Sequence, residues 1–149
     1  MKAQKILFPT DFSDPGDSSL KYATALARDT GAKLLIVHVE EPLSVYGGAG
    51  DVFYAAPEPD DISIRQRLEG VVPADPAVAY EHYLVTGDPA TEIVRLAEEE
   101  HADLIVMSTH GRSGLLRLLM GSVAEAVVRR ASCPVFTLKQ PHEAPVESS

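Results

Sequence analysis

The sequence predicts one α/β domain built on an open, doubly wound parallel sheet of five strands. Short apolar runs alternate with helix-period patterns along the 149 residues, in the order β-α-β-α-β-α-β-α-β. The run at residues 34–39 is nearly all apolar, which is typical of a parallel strand covered by helices on both faces. Such alternation implies right-handed crossovers, and the chain is long enough for one domain with a sizeable core.

The first half of the chain contains two strands and a capped helix. Residues 6–8 predict a buried first strand, and residues 34–39 predict the second. Asp14-Pro15 between them is typical of a helix start, because Asp can cap a helix and Pro suits the first helical position. Residues 40–61 are rich in Gly and Pro and show no period, so we predict a long loop there.

The second half repeats the strand and helix alternation. We predict a short helix over residues 61–69, a third strand over 78–85 and a helix that starts at Gly87-Asp88-Pro89. Residues 104–107 predict the fourth strand, and residues 135–138 predict the fifth. The last helix is predicted to open at Gly121-Ser122 and to be ended by Pro134. Its inward face is predicted to consist of Val123, Ala124, Val127, Val128 and Ala131.

Composition and charge narrow the class of protein. The net charge of −9 argues against a broad surface for nucleic acid or for an anionic membrane. Cys133 is the only cysteine, so we expect a buried, inert thiol and no intramolecular disulfide. No apolar run is long enough for a signal peptide or a membrane span, which favours a cytoplasmic soluble protein. We expect the domain to cover residues 1–140 and residues 141–149 to form a disordered tail.

Residues 103–139 contain the most informative motif in the chain. The apolar run of the fourth strand ends in Ser108-Thr109-His110-Gly111, and nine residues after Gly111 the pair Gly121-Ser122 opens the last helix. A glycine-containing loop and a helix N-terminus can hold a phosphate with backbone N–H groups. The structural alternative is that the glycines shape a turn and that Ser122 caps the helix.

The motif resembles the nucleotide-binding signature of the universal stress protein family: Gly, two residues, Gly, nine residues, Gly, then Ser or Thr. Gly111, Gly121 and Ser122 match that signature, whereas Ser108 stands where it has its first Gly. The resemblance extends from about residue 5 to residue 139. It implies a Rossmann-like, adenine nucleotide alpha hydrolase-like sheet with strand order 3-2-1-4-5. In that order the carboxyl ends of strands 1 and 4 face one crevice, where open α/β sheets bind ligands.

The resemblance also implies a site for ATP or another adenine nucleotide, with Mg²⁺ or Mn²⁺. The implied nucleotide-binding residues are Pro9, Thr10, Asp11, Val39, Met107, Ser108, Gly111, Arg112, Ser113, Gly121, Ser122 and Val123. Asp11 would contact ribose hydroxyls or a metal-bound water, and no side chain is expected to ligate a metal directly. By residue type alone, Asp11 could equally be a turn or cap residue. We expect His38 to be a satisfied core histidine, and His110 to position the backbone.

The implied function is a regulatory or protective homodimer. Its subunits would pair through the last strand, residues 135–138, because an apolar edge strand needs cover. A regulatory protein partner of unknown identity is expected as well. One alternative is the same fold without nucleotide binding, acting through protein interaction alone, and Ser108 favours it. Another is an enzyme with Asp11 as phosphoacceptor. We disfavour it, because only one carboxylate lies there, with no neighbouring acidic pair to hold a metal. For the nucleotide-binding module itself, at most slow ATP hydrolysis is expected, because the sequence shows no Walker lysine and no clear base to position water.

Overall fold

A computed structural model describes residues 3–12, 18–42, 44–46, 52–54, 60–109 and 121–139 of the chain. The strands are β1 (Lys5–Pro9), β2 (Lys33–Glu40), β3 (Ser44–Tyr46), β4 (Val52–Tyr54), β5 (Tyr80–Thr86), β6 (Leu104–Ser108) and β7 (Val135–Leu138). The helices are α1 (Ser18–Thr30), α2 (Asp60–Glu69), α3 (Pro89–Glu99) and α4 (Ser122–Arg130).

Five of the strands form one parallel sheet with the order β5-β2-β1-β6-β7. Counted among these five, that order is 3-2-1-4-5, so the predicted topology is confirmed. The chain winds outward in one direction from β1 to β5 and in the other from β6 to β7. The boundary between β1 and β6 is therefore the topological switch point, next to which ligands bind in open α/β sheets.

Two apolar clusters cover the two faces of the sheet, because successive side chains along a strand alternate between faces. Ile6 and Leu34 point toward the cluster that contains α1 and α2 residues. Leu7, Leu35 and Ile105 point toward the cluster that contains α3 and α4 residues. These five side chains are at most 1% exposed. Strands buried on both faces explain why the sequence shows nearly continuous apolar runs there.

Two predictions about elements are wrong. Residues 40–61 are not a plain loop, because β3 and β4 pair there as an antiparallel hairpin. Each of its strands has three residues, too few to show a period of two against the surrounding glycines. Helix α4 ends at Arg130, before Pro134, and its Val128 is 44% exposed. The buried stripe contains Ala124 and Val127, and Val128 lies about 100° around the helix from Val127.

Other boundaries agree closely with the sequence. The third parallel strand covers Tyr80–Thr86, and α3 starts at Pro89 as predicted. The predicted start of the first helix at residues 14–15 and the predicted tail at 141–149 lie outside the described residues. Within the described ranges, no helix is both long enough and apolar enough to cross a membrane.

Candidate functional site

The candidate site lies where β1 and β6 end. Strand β1 pairs with β2 from Lys5 to Pro9, and the Thr10 N–H extends this ladder by donating to the Val37 carbonyl at 2.8 Å. The registered pairing of β1 with β6 covers only Ile6 and Leu7 of β1. Backbone pairing between β1 and β6 therefore stops before their carboxyl ends. The unpaired ends of the two strands lie on either side of the position where open α/β sheets bind ligands.

The turn after β1 is fixed by hydrogen bonds to Thr10. The Thr10 carbonyl oxygen lies 2.7 Å from Nδ1 of His38, so the imidazole must donate its Nδ1 proton. The hydroxyl oxygen of Thr10 accepts the backbone N–H of Phe12 at 3.1 Å. His38 is buried, which confirms the prediction of a satisfied core histidine. Asp11 is half-buried between these two anchored residues.

The end of β6 is tied both to β7 and to α4. Thr109 is buried, and its backbone N–H donates to the Leu138 carbonyl at 2.9 Å. The Thr109 carbonyl accepts the N–H of Gly121 at 2.6 Å. The two ends of the segment 110–120 are thus joined by one hydrogen bond, which places the start of α4 next to the end of β6. Sequence reasoning missed Thr109, because nothing in its residue type signals a bond that spans eleven residues.

Helix α4 begins with backbone donors that its own cap does not satisfy. The cap residue is Gly121, with φ −62° and ψ 155°, and it makes no side-chain cap hydrogen bond. The first intrahelical donor is the N–H of Glu125, which bonds to the Gly121 carbonyl at 2.9 Å. The N–H groups of Ser122, Val123 and Ala124 precede it and point out of the helix. Together with the positive end of the helix dipole, they can hold an anion.

One structural alternative was that Ser122 caps the helix. The cap residue is Gly121 and Ser122 is the first residue of α4, so Ser122 is not the cap, and its side chain is exposed. The acidic residue in the first turn, Glu125, has its carboxylate 2.8 Å from the Arg129 guanidinium. The carboxylate of Glu125 is therefore paired within the helix, and the first residue of α4 is an exposed serine that follows a glycine cap.

The structure brings most of the predicted residues to one edge of the sheet. Residues 9–11 follow or end β1, Met107 and Ser108 end β6, and residues 121–123 start α4. Val39 is near the end of β2, the strand next to β1 on the side away from β6. The side chain of Met107 is buried in the core, so this residue can face the site only with its backbone. Gly111, Arg112, Ser113 and His110 lie outside the described residues.

Among the described residues, no group of three or more His, Cys, Asp or Glu side chains is arranged to hold a metal ion.

Cys133 was predicted to be a buried thiol, but it is only half-buried. Its partial burial still raises the thiol pKa, which keeps the group protonated and weakly nucleophilic at neutral pH.

Comparison with known proteins identifies the family. The family model described as Universal stress protein family matches residues 2–139. The chain belongs to this family. It is 33% identical over 142 residues to a universal stress protein of Methanocaldococcus jannaschii, covering 93% of this chain and 83% of the relative. It is 34% identical over 146 residues to one of Thermus aquaticus, covering 90% and 97%.

Solved structures of universal stress proteins share the fold. One, from Archaeoglobus fulgidus in complex with dAMP, has a TM-score of 0.68 and 26% identity, covering 93% of this chain and 100% of that chain. Another, in complex with cAMP, also has a TM-score of 0.68 and 26% identity, covering 95% and 100%. Two structural relatives of this chain have therefore been solved with adenine nucleotides.

Proposed function

We propose that this universal stress protein binds an adenine nucleotide, ATP with Mg²⁺ or Mn²⁺, and acts as a regulatory or protective homodimer. The observation that carries the proposal is the glycine-capped start of α4, held by Thr109 beside the end of β6. It supplies backbone donors and a helix dipole at the switch point of the sheet. The relatives solved with cAMP and dAMP support an adenine nucleotide as the ligand class.

The residues divide into anion-binding and orienting groups. The N–H groups of Ser122 and Val123 would hold a phosphate, and the exposed hydroxyl of Ser122 can donate to it as well. Asp11 cannot bind phosphate directly, since both are anions, so it would accept from a ribose hydroxyl or from a metal-bound water. A divalent cation would supply positive charge that a protein with net charge −9 lacks overall.

The thermal stability of the protein with and without ATP tests nucleotide binding. At an ATP concentration of about 100 times Kd, binding stabilises the folded state by about 2.7 kcal/mol. For a domain of this size, that raises Tm by about 8 °C. We expect Gly121→Val to abolish the shift, because a branched side chain would occupy the space that the phosphate needs. Gly70→Val, in the turn that follows α2, is the matched control and should retain the shift.

The protein-interaction alternative rests on Ser108 and makes a different prediction. If the Cβ of Ser108 excludes the nucleotide, ATP should leave the Tm of the natural protein unchanged but should raise the Tm of the Ser108→Gly variant. That pair of results would contradict the proposed function. Mass analysis of nucleotide released from freshly purified, denatured protein would then show none.

The proposed dimer would pair through β7. This strand lies at the edge of the sheet, and all four of its residues are half-buried by the subunit itself. An edge strand of this kind offers unpaired backbone groups to another chain. Light scattering should give twice the mass of the chain, and Thr137→Pro should lower that mass to one chain. A single-chain mass for the natural protein would contradict this part of the proposal.

A further inference from the structure

Phe12, directly after Asp11, has a backbone conformation that bulky residues rarely adopt. Its φ angle is 65°, in the left-handed region where a Cβ crowds the carbonyl oxygen. Such strain persists only where surrounding contacts hold it, and strained residues are concentrated at binding sites. The contacts that hold Phe12 therefore also determine how the preceding residue, Asp11, is presented.

Two side chains from other elements lie against the Phe12 ring. The imidazole of His38, on β2, has its centroid 4.4 Å from that of Phe12, with the ring planes tilted by 33°. The guanidinium carbon of Arg67, on α2, lies 4.4 Å from the Phe12 ring centroid. At this distance the cation is attracted to the aromatic ring.

These contacts connect the Asp11 turn to two packed elements. His38 donates to the Thr10 carbonyl at 2.7 Å and also contacts Phe12, so it holds the residues on both sides of Asp11. Helix α2 is anchored by Leu68, which is 2% exposed and belongs to the core cluster. Arg67 precedes Leu68, so its guanidinium extends from a fixed helix to Phe12.

We propose that Phe12, His38 and Arg67 are positioning residues that hold Asp11 in the orientation required by the bound nucleotide. This inference rests on the proposed nucleotide site. It assigns Arg67 a role through Phe12 and not through direct contact with phosphate. A consequence is that the position of α2 influences the nucleotide affinity of the site through the contact of Arg67 with Phe12.

Arg67→Met is the informative change, because it keeps a long, flexible stem and removes the cation. Loss of an exposed cation–π contact is expected to weaken nucleotide affinity about two- to fivefold. Arg65→Met is the matched control, because Arg65 is exposed on the same helix and carries the same charge. Titration calorimetry on the full chain should show that Arg65→Met leaves the nucleotide affinity unchanged. Arg67→Lys keeps a cation at this position, so it should lose much less affinity than Arg67→Met.

Adenosine separates positioning from direct phosphate binding. It lacks phosphate but retains the ribose, so if Asp11 contacts the ribose, a positioning role predicts the same fold-loss for adenosine and for ATP in Arg67→Met. If Asp11 contacts a metal-bound water, the loss appears for ATP with Mg²⁺ and is absent for ATP without metal. A loss for ATP that persists without metal, with no loss for adenosine, would show that Arg67 acts on the phosphates, and would overturn the inference. Unchanged affinity for both ligands would overturn it as well.

A double-mutant cycle with Phe12→Leu gives an independent result. If Arg67 acts through the Phe12 ring, Phe12→Leu combined with Arg67→Met should bind no more weakly than Phe12→Leu alone. Additive losses would contradict the inference. Failure of the proposed function can be told apart from failure of this inference alone. If the proposed function is wrong, the natural protein itself binds neither ATP nor adenosine, and the inference is then wrong as well.

Discussion

Two strand-to-helix junctions at the same edge of the sheet differ in how their helices are capped. At the junction from β5 to α3, the Asp88 carboxylate accepts the N–H of Thr91 at 3.0 Å and its hydroxyl at 2.7 Å. At the junction from β6 to α4, the cap is Gly121, which has no side-chain cap bond. Both helices otherwise start alike, since the N–H groups of Glu92 and Glu125 bond to their cap carbonyls at 2.9 Å.

The difference concerns the positive end of each helix dipole, which in α3 is already occupied by a carboxylate. Asp88 places a negative charge at the positive end of the α3 dipole, and hydrogen bonds from Thr91 lower the pKa of its carboxyl group. Pro89, at the start of α3, carries no N–H that needs a partner. Among the described residues, helix α4 has neither device, which is consistent with our proposal that an anionic ligand takes the place that Asp88 takes in α3.

The largest effect is expected from giving α4 the cap that α3 has. Gly121→Asp should weaken ATP binding at least about a hundredfold, because like charges a few ångströms apart near a protein surface repel by about 4 kcal/mol. The same change should slightly stabilise the ligand-free protein, since the φ and ψ of Gly121 suit a capping residue. Calorimetry and thermal melting measure the two effects.

Gly121→Asn is the control for charge in that experiment. Its amide caps a helix as well as a carboxylate does but carries no charge. It should therefore bind ATP more tightly than Gly121→Asp. Equal affinity of Gly121→Asp and the natural protein for ATP would show that the start of α4 does not contact the phosphates.

The next effect concerns Gly87, which precedes the Asp88 cap. Its φ is +150°, and a Cβ there would lie 2.9 Å from Cγ of Glu92. We expect Gly87→Ala to lower the free energy of unfolding by about 2 kcal/mol, from backbone strain and from displacement of Glu92. Urea denaturation measures this loss. Gly31→Ala is the control, because Gly31 has φ +76° with no atom within 4 Å of the added Cβ, so it isolates the backbone strain.

The smallest effect is expected from Asp88 itself. Asp88→Ala should lower the free energy of unfolding by about 1 kcal/mol at pH 7, the usual cost of losing a cap. Since the folded protein lowers the pKa of Asp88, its contribution is complete above the unfolded pKa of about 3.9 and is lost as the pH falls through the folded value. The free energies of unfolding of the two proteins should therefore begin to converge as the pH falls below about 4, and should coincide once the pH is below the folded pKa of Asp88. A difference that persists there would show that Asp88 acts through packing, and ATP affinity should stay unchanged throughout.

Local signals in the sequence were sufficient for some features of these junctions and insufficient for others. Asp88-Pro89 predicted the start of α3, because a cap and a following proline act within one turn of chain. The start of α4 was predicted at Gly121-Ser122 with Ser122 as the possible cap, whereas the cap is Gly121, and either residue type suits that position. The choice depends on where the preceding segment ends, and that is fixed by the bond from Gly121 to Thr109.

The same limit applies to burial. Val128 fits the apolar stripe of α4 by spacing, yet it is exposed, since the width of the stripe depends on how the helix lies on the sheet. The contact of Arg67 with Phe12 joins residues 55 positions apart, and no periodic pattern predicts it. The predicted roles of Gly111, Arg112 and Ser113 stay predictions.

Local patterns along the chain were enough to predict the class of fold, the five parallel strands, the capped start of α3 and the glycine motif before α4. These features follow from side-chain periods and from residues that act on their immediate neighbours. Three features became visible only in the packed sheet: β1 and β6 part before their ends, Thr109 holds the start of α4, and His38 and Arg67 converge on Phe12. Those contacts join distant residues, and they form only when the packed sheet brings these residues together.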